Sequence, residues 1–122
     1  MTKETIEKLQ GQIESVLSAS VHPEDGNAIK TKLESLSTYL GTGAGCITES
    51  KRLMLIKRKE WLRAHVERIK DMSPSIVKEY VNTATVDEEI LFTRCERNYS
   101  AITHSIEALR SLLSILKAEM SL

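Results

Sequence analysis

The sequence predicts an all-α fold in which long antiparallel helices form an oligomeric helical bundle. One observation behind this is a seam. Phe92, Cys95, Tyr99, Ile102, Ile106, Leu109, Leu113, Leu116 and Met120 alternate steps of three and four, the a/d pattern of a helix packed along its length against other helices. A second seam, Ala101, Ser105, Ala108, Leu112 and Ile115, runs beside it. Together they make an apolar face wider than a two-stranded coiled coil uses. The long helices of one chain cover only part of such a face, so further copies are expected to cover the rest. The alternative is a compact monomer in which the first helix folds back over it. The third observation is composition: 122 residues, 41% apolar, with one Trp, one Phe and three Tyr. That is one domain with an aliphatic core.

The elements follow in order. Residues 3–18 place Ile6, Leu9, Ile13, Val16 and Leu17 on one helical face, with Gly11 weakening the helix by about 1 kcal/mol relative to Ala. Pro23 suits a first helical position, and Glu24 and Asp25 suit the positive end of the macrodipole. The run Gly41–Gly45 resembles a loop. Yet stepping about 100° per residue puts Ile29, Leu33, Leu36, Leu40, Ala44, Ile47, Met54, Leu62 and Ile69 on one face, a phase that a loop would scramble. A single helix over residues 23–70 is therefore expected, with a break at the glycines as the alternative. In the continuous helix Ser37, Gly41, Ala44, Gly45 and Thr48 form a small-residue strip that admits a close neighbour at a cost in helix propensity. Ser73-Pro74 caps and opens a short helix over 74–81. Thr85-Val86-Asp87-Glu88 reads as a capping box for a last helix over 86–119.

Lys and Arg number 17, as do Asp and Glu. The whole chain thus presents no strong field to nucleic acid or membrane. It has no apolar run near 18 residues and no apolar leader after Met1-Thr2-Lys3-Glu4, so a cytoplasmic protein is expected, with no membrane partner. Cys46 and Cys95 lack metal spacing and read as reduced, packed thiols.

The charges nevertheless cluster. Between Lys51 and Lys70 stand eight basic residues against Glu60 and Glu67. Lys51, Arg58 and His65 recur every seven residues, in line with Ala44 at the centre of the apolar face. Unpaired buried charges are costly. Either these groups snorkel or pair with acids of the last helix such as Glu96 or Glu107, or they line a cavity for an anionic ligand, whose phosphate the Arg58 fork would match. Trp61 would help shape that cavity, and Arg97 and His104 are further candidates on the last helix. Arg52, Lys59, Arg63 and Lys70 share a nearly opposite angle. They form either a solvated face or a track for a nucleic-acid backbone, on which Trp61 could stack a base.

Other motifs fail. Gly41-Thr-Gly-Ala-Gly45 lacks the Gly-Lys-Ser/Thr ending and a preceding strand. His22, His65 and His104 have no metal-ligand spacing. No nucleophile, base and orienting group can be assembled, so the chain reads as non-enzymatic, without cofactor or metal.

Two resemblances bear on function. Tyr39-Leu40, Glu49-Ser50-Lys51-Arg52, Lys57-Arg58-Lys59 and Trp61-Leu62, with the order of elements, resemble the UvsY-type recombination mediators of tailed phages across the middle and last thirds. This implies an oligomer that binds single-stranded DNA. Arg97, Ala101-Ile102, Thr103-His104 and Leu109 are similar to a closing helix of the small phage proteins that sequester cyclic nucleotides of bacterial immunity. That implies an oligomer with nucleotide pockets at subunit boundaries. Both point to a phage accessory protein acting in the host cytoplasm. The leading expectation is capture of a nucleotide-type small molecule by Lys51 and Arg58. Single-stranded DNA binding and a pure protein-interaction scaffold are the alternatives.

Overall fold

The computed structural model describes residues 1–121. Its described residues form five helices: α1 (Lys3–Ser18), α2 (Gly26–Ala64), α3 (Val66–Ile69), α4 (Pro74–Ala84) and α5 (Val86–Met120). The fold is all-α, and among the described residues no helix is long and apolar enough to cross a membrane.

Local chemistry sets the boundaries. Thr2 caps α1 by accepting from the Thr5 N–H. Asp25 caps α2 by accepting from the Ala28 N–H at 3.0 Å. The helix consequently starts at Gly26, and Pro23 lies before the cap instead of inside it. Gly41, Gly43 and Gly45 all lie within α2, and no glycine has positive φ. The expected run to Lys70 is interrupted at His65, where φ −120°, ψ 19° closes α2 before α3 begins. Ser73 and Pro74 open α4 as the spacing predicts, but the helix runs on to Ala84. Thr85 stands between α4 and α5 without a side-chain cap. Its hydroxyl donates instead to Val81 O at 2.8 Å, so the predicted capping box does not form.

α2 and α5 pack along most of their length. Leu36 meets Ile102 and Ile106, while Cys46 meets Leu91 and Cys95. Contacts thus descend along α2 as they ascend along α5. α1 lies in the furrow between them, with Ile6 in the Cys46 cluster and Ile13 in the Leu36 cluster. The buried line on α2 is Ile29, Leu36, Gly43, Cys46, Ser50 and Met54. It is offset by one residue from the line predicted through Ala44 and Lys51, both of which are exposed. The offset has a steric origin. Gly43 faces Tyr99, so near that an added Cβ would lie 3.3 Å from Tyr99 Cδ2. Gly41, by contrast, has no neighbour within 4 Å, so the small-residue strip is not the contact.

Polar groups hold the short α1 in place. Arg94 Nε donates to Glu14 Oε2 at 2.7 Å, and Arg94 Nη2 donates to Oε1. Asn98 Nδ2 donates to Gln10 Oε1 and Glu14 Oε2, each at 2.9 Å. At the other end Lys32 Nζ donates to the Leu17 and Ala19 carbonyls, at 3.1 and 2.7 Å, complementing the negative end of α1. The fully buried Gln10 leaves its Nε2 without a partner.

Two outcomes follow for stability. Gly41→Ala raises it by up to about 1 kcal/mol through helix propensity. Gly43→Val lowers it by about 1–3 kcal/mol through overpacking against Tyr99. Urea unfolding of both variants checks the contrast. The second concerns acid. The hydrogen bond from Arg94 holds the Glu14 carboxyl down from 4.5 to about 2. A lowered carboxyl stabilises fully above its unfolded value and loses that contribution as pH falls through the folded one. The loss therefore spans roughly pH 4.5 to 2. The Glu14 and Arg94 side chains are 41% and 36% exposed, so solvent screening limits the effect to below about 1 kcal/mol. Glu14→Gln flattens this acid limb in unfolding midpoints measured against pH.

Candidate anion-binding groove

The site residues predicted from sequence do not gather in one place. Lys51, Arg52 and Lys59 come together on α2. They line an open groove of about 630 Å³ between α2 and α5, with Ile47, Leu55 and Phe92 among its apolar lining and Glu96 on the α5 side. Lys51 and Lys59 are eight residues apart, about 12 Å along the axis. Neither has an ion-pair partner among the described residues, whereas Arg52 holds Glu49 through two hydrogen bonds, 3.1 and 2.8 Å. The bond from Arg52 keeps the Glu49 carboxyl below its ordinary value.

Arg58 is elsewhere. Its side chain is 26% exposed and meets Glu89, Nη2 to Oε2 at 3.8 Å. Its Nε donates to Thr85 Oγ1 at 3.2 Å. Thr85 is fully buried, so one hydroxyl ties α2 to the α4–α5 junction through both of its hydrogen bonds. The expectation that Lys51, Arg58 and His65 project together from the centre of one face is corrected: the buried line runs to one side of them, through Gly43, Ser50 and Met54. Pairing of Arg58 with an acid of the last helix was one of the two alternatives, and the acid it meets is Glu89, not Glu96 or Glu107.

Trp61 and His65 are occupied with each other. Their rings stack at 4.3 Å, 19° apart, and Trp61 also faces Tyr80 at 6.3 Å. His65 Nδ1 lies 2.7 Å from Trp61 O, and Arg68 sits over the Tyr80 ring at 5.1 Å. This cluster joins α2 to α4 where α2 ends. Its half-buried indole belongs to the helix junction and not to the groove.

Arg97 lines a separate groove between α1 and α5 with Glu14, Ile90, Arg94 and Asn98. His104 is exposed on α5 and lines none of these grooves. Arg63 is exposed, and Lys70 holds Glu67 at 2.9 Å. The strip Arg52, Lys59, Arg63, Lys70 thus contributes two residues to the groove. Lys51, from the other set, completes its cationic side.

Leu55 and Phe92 line the groove but were not among the site residues predicted from sequence. Phe92 is the first member of the α5 seam, and it is half-buried because α2 carries Lys51 and Lys59 where a large apolar partner would close the seam. The signal was available in the pairing of a lone Phe with a basic stretch. Cys46 and Cys95 lie in one core cluster, and burial pushes both thiols up, which keeps them protonated and unreactive.

The groove can hold an anion that also offers a flat or apolar face. Cations meet the charge, while Phe92, Leu55 and Ile47 meet the rest. No known protein family, curated protein or solved structure matches the chain.

The Arg58 contacts give a test that separates structure from binding. Thr85→Val deletes both hydrogen bonds of the buried hydroxyl at constant shape. It lowers unfolding free energy by about 1–2 kcal/mol and leaves ligand affinity in the groove unchanged when both are measured on the same preparation.

Proposed function

We propose that this chain is a non-enzymatic, self-associating protein that holds single-stranded nucleic acid in the α2–α5 groove. The observation that carries this reading is the convergence of Lys51, Arg52 and Lys59 around Phe92 and Leu55. Single-strand binders use this combination: cations follow the phosphates, and an aromatic ring takes a base without regard to sequence. An open groove suits a strand that enters at one end and leaves at the other. A duplex would hide its base faces from Phe92.

A closed pocket for a small nucleotide gets less support. Arg58, its expected phosphate partner, already meets Glu89 and Thr85, and the expected walls Trp61 and His65 are stacked together. The resemblance to UvsY-type mediators falls on the segment that supplies Lys51, Arg52 and Lys59, and it agrees with the strand reading. Self-association is supported by the apolar side chains left open at both ends of α5, Val86 and Ile90 at one and Ile115 and Met120 at the other.

The test is fluorescence anisotropy with an oligo-dT probe over a salt series. Three phosphate contacts give a slope of about −2 in log K against log salt per chain. Replacing Lys51, Arg52 and Lys59 together by alanine removes that slope and most of the affinity. A probe that does not bind at low salt, or that binds the triple variant equally well, removes the proposal.

A further inference from the structure

Most of the exposed large apolar side chains lie toward two separate ends of the molecule, with Met1, beside Gly45, between them. At one end stand Leu55, Ile56, Leu62, Val66, Ile76, Val86 and Ile90; at the other, Ile115 and Met120. Along α5 no large apolar side chain is exposed between Ile90 and Ile115. The two ends differ in shape for a simple reason: α1 has 16 residues, α2 has 39 and α5 has 35.

α1 begins at Lys3 beside Ser50, and α2 continues another 14 residues to Ala64 without it. A recess of about 260 Å³ opens where α1 would lie if it were longer. Leu53, Ile56 and Leu91 line it with apolar surface, and Lys3, Lys57, Glu60 and Glu88 supply both signs of charge. Met1 does not fill the space. Its amino group turns toward Glu49, 3.6 Å away, and its Cε lies 3.7 Å from where a Gly45 Cβ would stand.

At the far end the situation is reversed. Leu109 is the last α5 residue packed into the core cluster that holds Leu33 and Leu36, while α5 goes on to Met120. Its last turns carry Ile115, 55% exposed, and Met120, 87% exposed, with Lys117 and Glu119 beside them. The projection therefore carries apolar side chains and both signs of charge, as the recess does.

We infer that the C-terminal turns of α5 in one copy seat in the recess beside Leu53, Ile56 and Leu91 of the next. Ile115 and Met120 cover the apolar lining. Lys117 faces Glu60 or Glu88, and Glu119 faces Lys3 or Lys57. This inference rests on the reading of the chain as self-associating, and it names the interface. The contact is head-to-tail, because the surface that inserts differs from the surface that receives. Such contacts close into rings when the rotation between copies allows. A twofold pairing would instead set the same patch of both copies against itself.

Sedimentation velocity of the full chain without nucleic acid tests the interface. The wild-type chain sediments as a multimer. Ile56→Glu, which blocks the recess, and the pair Ile115→Glu with Met120→Glu, which blocks the projection, each weaken association at least tenfold. All three positions are exposed, and unchanged thermal unfolding confirms that both variants fold. An equimolar mixture of the two variants forms a 1:1 heterodimer, because each keeps the half that the other lacks. A wild-type multimer that persists in either variant overturns this interface and leaves self-association standing. Mixed variants that remain monomeric overturn the head-to-tail pairing. A monomeric wild-type chain overturns both the interface and the self-association, independently of strand binding.

Discussion

The close approach of α2 to α5 at Gly43 is the constraint on which the rest of the molecule depends. A helix of 39 residues is about 58 Å long, and it can lie against a partner over that length only if its contact line holds small groups where the axes are nearest. Gly43 faces Tyr99 and Ile102 there, and Cys46 and Ser50 follow on the same side, both fully or almost fully buried. Bulk at these positions would push α5 away and open the clusters above and below. The helix-propensity cost of Gly43 is offset by packing on both sides of it. Once this line is fixed, every other α2 side chain has its direction. Lys51 and Arg52 turn toward the α2–α5 groove because Ser50 turns inward.

The furrow that this pair creates sets the place of α1. Apolar contacts alone, Ile6 and Ile13 against the two clusters, would tolerate a slide of one turn along the furrow. The polar set Gln10, Glu14, Arg94 and Asn98 does not, because a slide would leave several half-buried donors and acceptors unpaired. Gln10 shows the cost of this arrangement: its Oε1 is bonded to Asn98, while its Nε2 is buried without a partner. With α1 held in this register, its start after the Thr2 cap lies beside the recess at Lys3. A device that specifies position within the chain thus also shapes the surface that the proposed interface uses.

Much of the fold was legible from periodicity, because hydrophobic phase survives across features that look like breaks. The glycines of residues 41–45 were legible as helix since the phase before them matched the phase after. Less legible was the rotation of the face. A seven-residue step drifts by about 20° per heptad on a straight helix, so a line drawn through Ala44, Lys51 and Arg58 and one through Gly43, Ser50 and Met54 fit the sequence almost equally. Only the steric fit of Gly43 against Tyr99 separates them. The break at His65 was not legible either, since it arises from the stacking of Trp61, His65 and Tyr80 across two helices. Thr85 misled for a related reason. Its spacing to Glu88 suits a capping box, but its hydroxyl is used by Val81 and Arg58, a partner 27 residues away. Of the candidate site, the basic stretch was visible, while its convergence on Phe92 depended on the register between α2 and α5.

The contrast between Arg58 and its neighbours is what singles out the groove. Arg58 is a cation under structural control: it is shielded, hydrogen-bonded to a buried hydroxyl and matched by Glu89. Lys51, about two turns before it on the same helix, and Lys59, the next residue, have none of these. They stand with Arg52 around apolar surface that folding has left open, and Glu96 is the acid facing them there. Like charges gathered around an uncovered Phe and Leu contribute nothing to packing, and their mutual repulsion opposes it. Neutral residues at Lys51 and Lys59 would stabilise the same helix pair, and larger apolar ones would close the seam over Phe92. The groove therefore retains two features that folding alone does not require, concentrated positive charge and exposed apolar surface. The proposed strand would relieve both at once, its phosphates neutralising the cations while a base covers Phe92.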